Sequence, residues 1–292
     1  MNKLLILPSF CLLILLGLST SSVAQVSKHK STLISAYENQ QEVFITLLNG
    51  NTYTGLVVSI DDEMAGIQNN DGVFNLRYDR IESIRLVDPS DKSSRWYKNP
   101  ANNKLFITQS GKMLEPKTGY YQNTYIFISN FSYGLTKNFS VNAGFSMIPG
   151  LGVENQLYLI GAKVGGKASK NISLSANINY YNILDSDQGI TTLFGSSTFT
   201  FNNLDLTAGL GVGFDGNNTS DALVILGAQW RISERFALLS ENMVLPDIDA
   251  SEPLLSFGAR FIGRRIATDL GFFSLPSETD ALVPLVSFAV KL

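Results

Sequence analysis

The chain has 292 residues, of which 45% are hydrophobic and 16% charged, and its net charge at pH 7 is −3. This composition is typical of a folded chain, and the net charge is too small to indicate a nucleic-acid partner. The single histidine is His29 and the single cysteine is Cys11. So few histidines and cysteines argue against a Ser-His-Asp triad or a zinc site after residue 29. We therefore expect no enzyme activity, no metal and no cofactor.

Residues 1–24 have the organisation of a secretory signal peptide. Lys3 supplies the positive charge, residues 4–18 form an apolar stretch, and Ser22-Val23-Ala24 fits a small-residue cleavage site. The alternative is an uncleaved membrane anchor, but the apolar stretch falls short of the roughly 20 residues that a spanning helix needs. Cleavage would remove Cys11 and leave a mature chain without cysteine.

A small β-rich module is predicted at residues 42–90. Turn sequences such as Asn49-Gly50 and Asn70-Asp71-Gly72 separate about five short β-rich segments. Strands this short and this numerous predict a small, strongly bent β-barrel. The preceding residues, 25–41, are polar and aperiodic and are predicted as a linker. Residues 91–103, with mixed charges and a proline, are predicted as a second linker.

This module resembles the Sm-like fold, particularly the bacterial RNA chaperone of that family. The matching stretches, in order, are Leu48-Asn49-Gly50, Gly55, Ser59-Ile60-Asp61 and Tyr78-Asp79-Arg80-Ile81. The family's uridine pocket needs a base-stacking aromatic residue with basic and imidazole neighbours, where this chain has Asp79 and Arg80. The absence of these pocket residues and the export signal together predict that no nucleic acid binds. The module is expected to contact a periplasmic protein or the cell wall.

The clearest strand of the remaining chain is Leu204–Phe214, in which every even position is apolar and every odd position is acidic, hydroxylic or glycine. A strand that crosses an outer membrane needs about 9–11 residues with this alternation. Short polar turns recur at nearly regular intervals, each followed at once by a strand. They are Lys137-Asn138, Lys170-Asn171, Asn202-Asn203, Glu234-Arg235 and Arg264-Arg265. The pattern predicts an antiparallel transmembrane β-barrel over residues 104–292.

The expected number of strands is twelve. Eleven strands follow from Tyr121 to the end of the chain, and single-chain bacterial barrels have an even number. We therefore predict residues 104–114 as the first strand. The predicted fold class is all-β, with a twelve-stranded transmembrane barrel preceded by a small Sm/SH3-like β-barrel.

The barrel segment also resembles a family of uncharacterised bacterial outer-membrane barrel proteins. The resemblance is carried by residues 119–125 and by residues 133–141, and it implies a place in the outer membrane without implying an activity. Aromatic side chains lie near the short turns, as in the interfacial belts of such barrels. They are Tyr133, Phe139, Phe201, Trp230, Phe236 and Phe261. We therefore expect outer-membrane lipid as a partner.

Alternation assigns several charged side chains to the lumen of the barrel. They are Lys163, Lys167, Asp205, Arg231, Glu241, Arg260 and Asp269. Arg260 and Asp269 each lie four residues from the nearer residue of the Arg264-Arg265 turn, which predicts a cross-strand ion pair. Two interpretations stay open, because twelve strands lie between packed eight-stranded barrels and open sixteen-stranded pores. The charges either fill and stiffen the lumen, or they form the constriction of a channel.

The sequence thus predicts an integral protein of the bacterial outer membrane with its N-terminal module in the periplasm. The first expectation is a structural or interaction role through the Sm-like module. The alternative is a narrow, porin-like channel for small solutes.

Overall fold

The computed structural model describes residues 25–89, 96–186, 189–216, 218–220, 222–244, 253–274 and 282–292. The predicted signal peptide lies outside the described residues. The chain divides into two compact units, Met1–Trp96 and Tyr97–Leu292. Within the described part of the chain, no helix is both long enough and apolar enough to cross a membrane.

The first unit consists of a helix, α1 (residues 25–38), followed by a five-stranded sheet. The strands are β1 (Glu42–Leu47), β2 (Thr52–Ile60), β3 (Met64–Asn69), β4 (Gly72–Arg77) and β5 (Ile81–Leu86). Their order in the sheet is β4-β3-β2-β1-β5, and neighbouring strands are antiparallel. The predicted hairpin at Asn49-Gly50 is confirmed, since it joins β1 to β2 and Gly50 has the positive φ of 84° that such turns need.

The prediction of a linker at residues 25–41 is wrong, because most of this segment is α1. The helix buries Leu33 and Ala36 in the core of the module, where they pack with Val43 and Ile45 of β1. The apolar stripe has helical spacing but is sparse, and polar residues dominate the other face. The segment is polar on average, so its sequence did not indicate a helix. The helix forms because its few apolar side chains pack against the sheet.

The predicted small barrel is an open sheet among the described pairings, with β4 and β5 at its two edges. The register shifts between Thr46 and Leu47 and again between Val57 and Ser59. Such bulges bend and twist a sheet strongly without closing its ladder of hydrogen bonds. The resemblance of this module to the Sm-like fold stays a prediction.

The stability of the module is expected to fall as the pH drops below about 6.5. His29 on α1 is buried, its Nδ1 has no hydrogen-bond partner among the described residues, and desolvation lowers its pKa below the usual 6.5. The unfolded chain therefore binds the proton more readily than the folded one, so stability is complete above pH 6.5 and is lost on acidification. Hydrogen exchange of β1 in the full mature chain, corrected for intrinsic rates, should be faster at pH 5.5 than at pH 7.5.

Two comparisons make this pH effect specific to His29. The variant His29→Gln should flatten the pH dependence of exchange in β1. Exchange of Leu204–Phe214 in the second unit should change little between the two pH values in either protein. An unchanged pH dependence in His29→Gln would show that another group is responsible.

The second unit is a closed ring of twelve antiparallel strands, in which the last strand pairs with the first. The strands are β6 (Gly119–Thr124), β7 (Ile128–Gly134), β8 (Phe139–Ser146), β9 (Leu157–Lys167), β10 (Ile172–Ile183), β11 (Ile190–Phe201), β12 (Leu204–Phe214), β13 (Leu223–Arg231), β14 (Phe236–Val244), β15 (Leu254–Ile262), β16 (Ile266–Ser274) and β17 (Leu282–Lys291). The predicted twelve-stranded barrel is confirmed. The predicted turns define one end of the ring, the short-turn rim, and the longer connections define the other, the long-connection rim.

The prediction that residues 104–114 form the first barrel strand is wrong. The twelfth strand arises because the chain turns at residues 125–127 and divides one predicted strand into β6 and β7. Tyr125 and Ile126 both have positive φ, 54° and 69°. Tight hairpin turns with this backbone favour asparagine and glycine, and a β-branched residue rarely adopts it. The sequence therefore carried no turn signal at this place.

The outer face of the barrel is apolar, and this follows from the alternation along each strand. In β12, Leu206 and Leu210 are 47% and 59% exposed, whereas Thr207 between them is only 4% exposed. Exposed aromatic side chains lie near the short-turn rim. The exposed members of the predicted set are Tyr133, Phe201, Trp230 and Phe261. An apolar band of this extent is suited to lipid and would be a liability in water.

Candidate functional site in the barrel lumen

Residues 97–118, here called the lumen segment, fold inside the ring of strands. Side chains of β9, β12, β14 and β15 all hydrogen-bond to it, and only a chain inside a closed ring can reach all four. Residues 91–95 of the predicted linker 91–103 lie outside the described residues. The rest of that linker and the predicted barrel start at 104 need correction, since residues 97–118 precede the first strand and occupy the lumen. The ladder has no vacant edge for another strand, which is why this segment pairs with side chains instead.

The lumen segment is a hairpin that starts and ends near the short-turn rim. Leu105 N donates to Thr108 O over 2.9 Å, and Ser110 N donates to Asn103 O over 2.9 Å. Its two ends meet where Lys98 Nζ lies 2.6 Å from Glu115 Oε1. The tip of the hairpin, residues 105–108, therefore points toward the middle of the barrel.

Glu241 on β14 binds the tip of the lumen segment through both carboxylate oxygens. Phe106 N and Ile107 N donate to Oε2 over 2.7 and 2.9 Å. Thr108 donates to Oε1 from its backbone N–H over 2.9 Å and from its hydroxyl over 2.6 Å. Successive backbone N–H groups that converge in this way form an anion-binding concavity, and Glu241 is fully buried in it. The carboxylate is thus both desolvated and fully hydrogen-bonded.

Arg260 on β15 binds the lumen segment and a neighbouring strand at the same time. The predicted pair is present: Arg260 lies opposite Asp269 of β16, with Nε 2.6 Å from Oδ1 and Nη2 2.9 Å from Oδ2. The same guanidinium donates to the carbonyl oxygens of Ala101 over 3.1 Å and of Leu105 over 2.8 Å. Because a guanidinium carries five donors in a fixed plane, one side chain can serve both partners.

Lys163 on β9 places its ammonium group among three carbonyl oxygens of the lumen segment. Its Nζ lies 2.6 Å from Ser110 O, 2.8 Å from Lys112 O and 3.3 Å from Asn103 O. Three acceptors match the three donors of an ammonium group, so this buried cation is satisfied without a carboxylate. It clamps both legs of the hairpin.

Three further predicted residues, Asp205, Arg231 and Lys167, lie nearer the short-turn rim. Asp205 on β12 accepts from Lys112 Nζ over 2.6 Å and from Thr200 Oγ1 over 2.7 Å. Arg231 on β13 donates to the carbonyl oxygens of the adjacent turn, Ser233 over 3.3 Å and Glu234 over 2.6 Å. Lys167 is exposed at the end of β9. Of the predicted lumen charges, the structure thus brings Lys163, Asp205, Glu241 and Arg260 directly onto the lumen segment.

Apolar contacts also hold the hairpin tip in the lumen. Leu105 is buried in a cluster with Phe194 of β11, Ile225 of β13 and Met243 of β14. A glycine on β13 makes room for it, because a Cβ at Gly227 would lie 2.2 Å from Leu105 Cδ1. The sequence around Gly227 carries no signal of the side chain that this glycine accommodates.

A cavity of about 340 Å³ lies beyond the tip, between the lumen segment and the long-connection rim. Its wall includes Asn130, Asn142, Asn177 and Asn179 from β7, β8 and β10, and its floor includes Gln109. In the sequence, alternation is the only sign that these amides face inward, and none of them is among the predicted lumen residues. Within the described residues, no group of three or more histidine, cysteine or acidic side chains could hold a metal ion.

Comparison with known proteins yields structural similarities only. No family model and no curated protein matches the chain. Among solved structures it is similar to a KdgM porin, with 6% identity, a TM-score of 0.43 and coverage of 60% of this chain and 95% of that one. It is similar to a NanC porin (8%, 0.40, 60% and 96%) and to the Acinetobacter baumannii outer membrane protein Omp33 (9%, 0.36, 60% and 96%).

Proposed function

We propose that this protein is a narrow channel for small solutes in the bacterial outer membrane, held closed by its own lumen segment. The observation that carries this proposal is the nature of the lumen wall. Lys163, Asp205, Glu241 and Arg260 come from four strands and all bind the lumen segment. A charged wall is compatible with a closed and with an open barrel. The lumen segment hydrogen-bonds to the charged groups in the closed state, and water hydrates them when the segment leaves.

The membrane location rests on the apolar outer face of a closed ring and on the predicted export signal. A closed barrel satisfies every backbone group of its strands internally, which is the condition for crossing a bilayer with strands. The predicted signal peptide and the small module both precede β6, and we propose that the module lies in the periplasm.

The second candidate is the structural or interaction role that the sequence first suggested. It is favoured by the folded core of the first unit and by the filled lumen, which suits a barrel that serves as an anchor. The two candidates differ in one property: a channel must conduct when the lumen segment is absent or displaced.

The ends of the lumen segment allow a clean deletion. Because Lys98 and Glu115 form an ion pair, a short Gly-Ser linker can replace residues 100–114 without straining either end. In planar bilayers, the full mature chain should remain closed for most of the recording. The deletion variant should give a steady conductance of uniform unit size, since the remaining wall carries charges that hold water.

Heat-modifiable migration on gels must show that both proteins contain a folded barrel. A folded deletion variant that conducts no more than the full chain would overturn the channel proposal and favour the anchoring role. A full chain with the same steady conductance as the deletion variant would show that the lumen segment does not close the channel.

A further inference from the structure

The wall of the cavity beyond the tip of the lumen segment carries a row of three hydrogen-bonded side-chain amides. The last amide of the row has one polar atom without a hydrogen-bond partner among the described residues. Asn142 Nδ2 donates to Asn179 Oδ1 over 3.1 Å, and Asn179 Nδ2 donates to Asn177 Oδ1 over 3.1 Å. Asn177 Nδ2 then has no partner among the described residues, although the side chain is only 4% exposed. Reversing all three amides would leave an Asn177 oxygen unpaired instead, so one polar atom is available in either orientation.

Other unpartnered groups line the same cavity. Asn130 Oδ1 and Gln109 Oε1 are buried acceptors without a hydrogen-bond partner among the described residues. Buried polar atoms are nearly always hydrogen-bonded in native proteins, so several orphans around one cavity indicate an occupant. Water satisfies such atoms while a site is empty, and a hydroxyl-bearing solute can replace that water with matched groups.

The chemistry of the wall restricts that occupant. Among the described residues that line the cavity, none is acidic or basic, so the site offers no charge to pair with an ion. It offers amide donors and acceptors beside the apolar surfaces of Phe194, Tyr181 and Leu159. The volume of about 340 Å³ falls at the small end of the range of about 300–1,000 Å³ that is usual for small-molecule sites.

We propose that this cavity binds a small, neutral, polyhydroxylated solute of the size of a mono- or disaccharide. Its hydroxyl groups pair with the free amide atoms of Asn177, Asn130 and Gln109, and its C–H face packs on the aromatic rings. The proposal rests on the proposed function only for the expectation that solutes enter this barrel. Binding itself requires no conductance.

Glycine on β9 provides an independent way to disturb the amides. A Cβ at Gly161 would lie 2.1 Å from Asn179 Oδ1 and 2.8 Å from Asn142 Oδ1, so Gly161→Ala must push the chain of amides out of place. Asn177→Ala directly removes the last of the three hydrogen-bonded amides. Asn155→Ala is the matched control, because Asn155 is an exposed asparagine outside the cavity.

The test is saturation-transfer NMR on the full mature chain in micelles of a detergent without a sugar headgroup. Maltose is the neutral probe and glucuronate the charged one. We expect maltose to bind, with at least fivefold weaker affinity in Asn177→Ala and in Gly161→Ala and no change in Asn155→Ala. Glucuronate should bind more weakly than maltose.

Three results would overturn the proposal: no maltose binding to the full chain, binding that neither cavity variant weakens, or glucuronate binding as tight as maltose. Heat-modifiable migration shows whether each variant is folded. Because this readout needs no bilayer current, a silent channel that still binds maltose would separate failure of the proposed function from failure of this inference.

Discussion

Glu241→Ala should shift the equilibrium between the closed and the open barrel toward the open state by about two to three and a half orders of magnitude. The change leaves three backbone N–H groups of the hairpin tip unpaired in the closed state, at about 1–3 kcal/mol each. These costs are not additive, and we expect a combined effect of about 3–5 kcal/mol on the closed state. Each 1.4 kcal/mol corresponds to about a tenfold change in an equilibrium. Single-channel recording of the full mature chain measures the open fraction directly.

Two further variants make this test specific. Glu241→Gln keeps one acceptor oxygen but turns an amide N–H₂ toward the N–H groups of the tip, so its open fraction should lie between those of the wild type and Glu241→Ala. Glu154→Ala removes a carboxylate from an exposed position of the same unit and should leave the recording unchanged. An open fraction in Glu241→Ala equal to that of the wild type would mean that the tip is not held by this carboxylate.

Arg260→Ala should destabilise the barrel by about 3–5 kcal/mol and also increase its open fraction. Removal of the guanidinium leaves the Asp269 carboxylate buried, with Ser287 Oγ at 3.2 Å as a remaining donor. Breaking a buried ion pair from one side is costly because an uncompensated charge remains. The lumen segment loses the donors to Ala101 O and Leu105 O in the same step. Denaturant unfolding in micelles gives the stability, and planar-bilayer recording gives the open fraction.

The double variant Arg260→Met with Asp269→Leu separates these two effects. Replacing both charges with apolar side chains of similar size is often neutral for stability, so most of the loss should be recovered. The contacts with the lumen segment remain absent, so the open fraction should stay high. If the double variant is as unstable as Arg260→Ala, an unpaired charge is not the cause. If both variants stay closed, Arg260 does not hold the segment.

Local patterns in the sequence determined the barrel and part of its lumen. Alternation of apolar and small residues places one face of each strand toward lipid, and each short turn sets the register of the two strands that it joins. For that reason, counting from Arg264-Arg265 was sufficient to pair Arg260 with Asp269. The same rules fail where the local signal is weak or atypical. The turn at Tyr125 and Ile126 is one such place, and the sparse apolar stripe of α1 is another.

Only the tertiary structure decided what occupies the lumen. Residues 104–108 alternate briefly and were expected to form a strand, yet the ring closes between β17 and β6 and leaves them no ladder partner. Their backbone groups pair instead with Glu241 and Arg260, across sequence separations such as the 135 residues from Phe106 to Glu241. The two-residue alternation along a strand indicates which face of the barrel wall a side chain takes, because that depends on its neighbours in sequence. It cannot report which distant segment fills the space that those faces enclose, because that depends on closure of the whole ring.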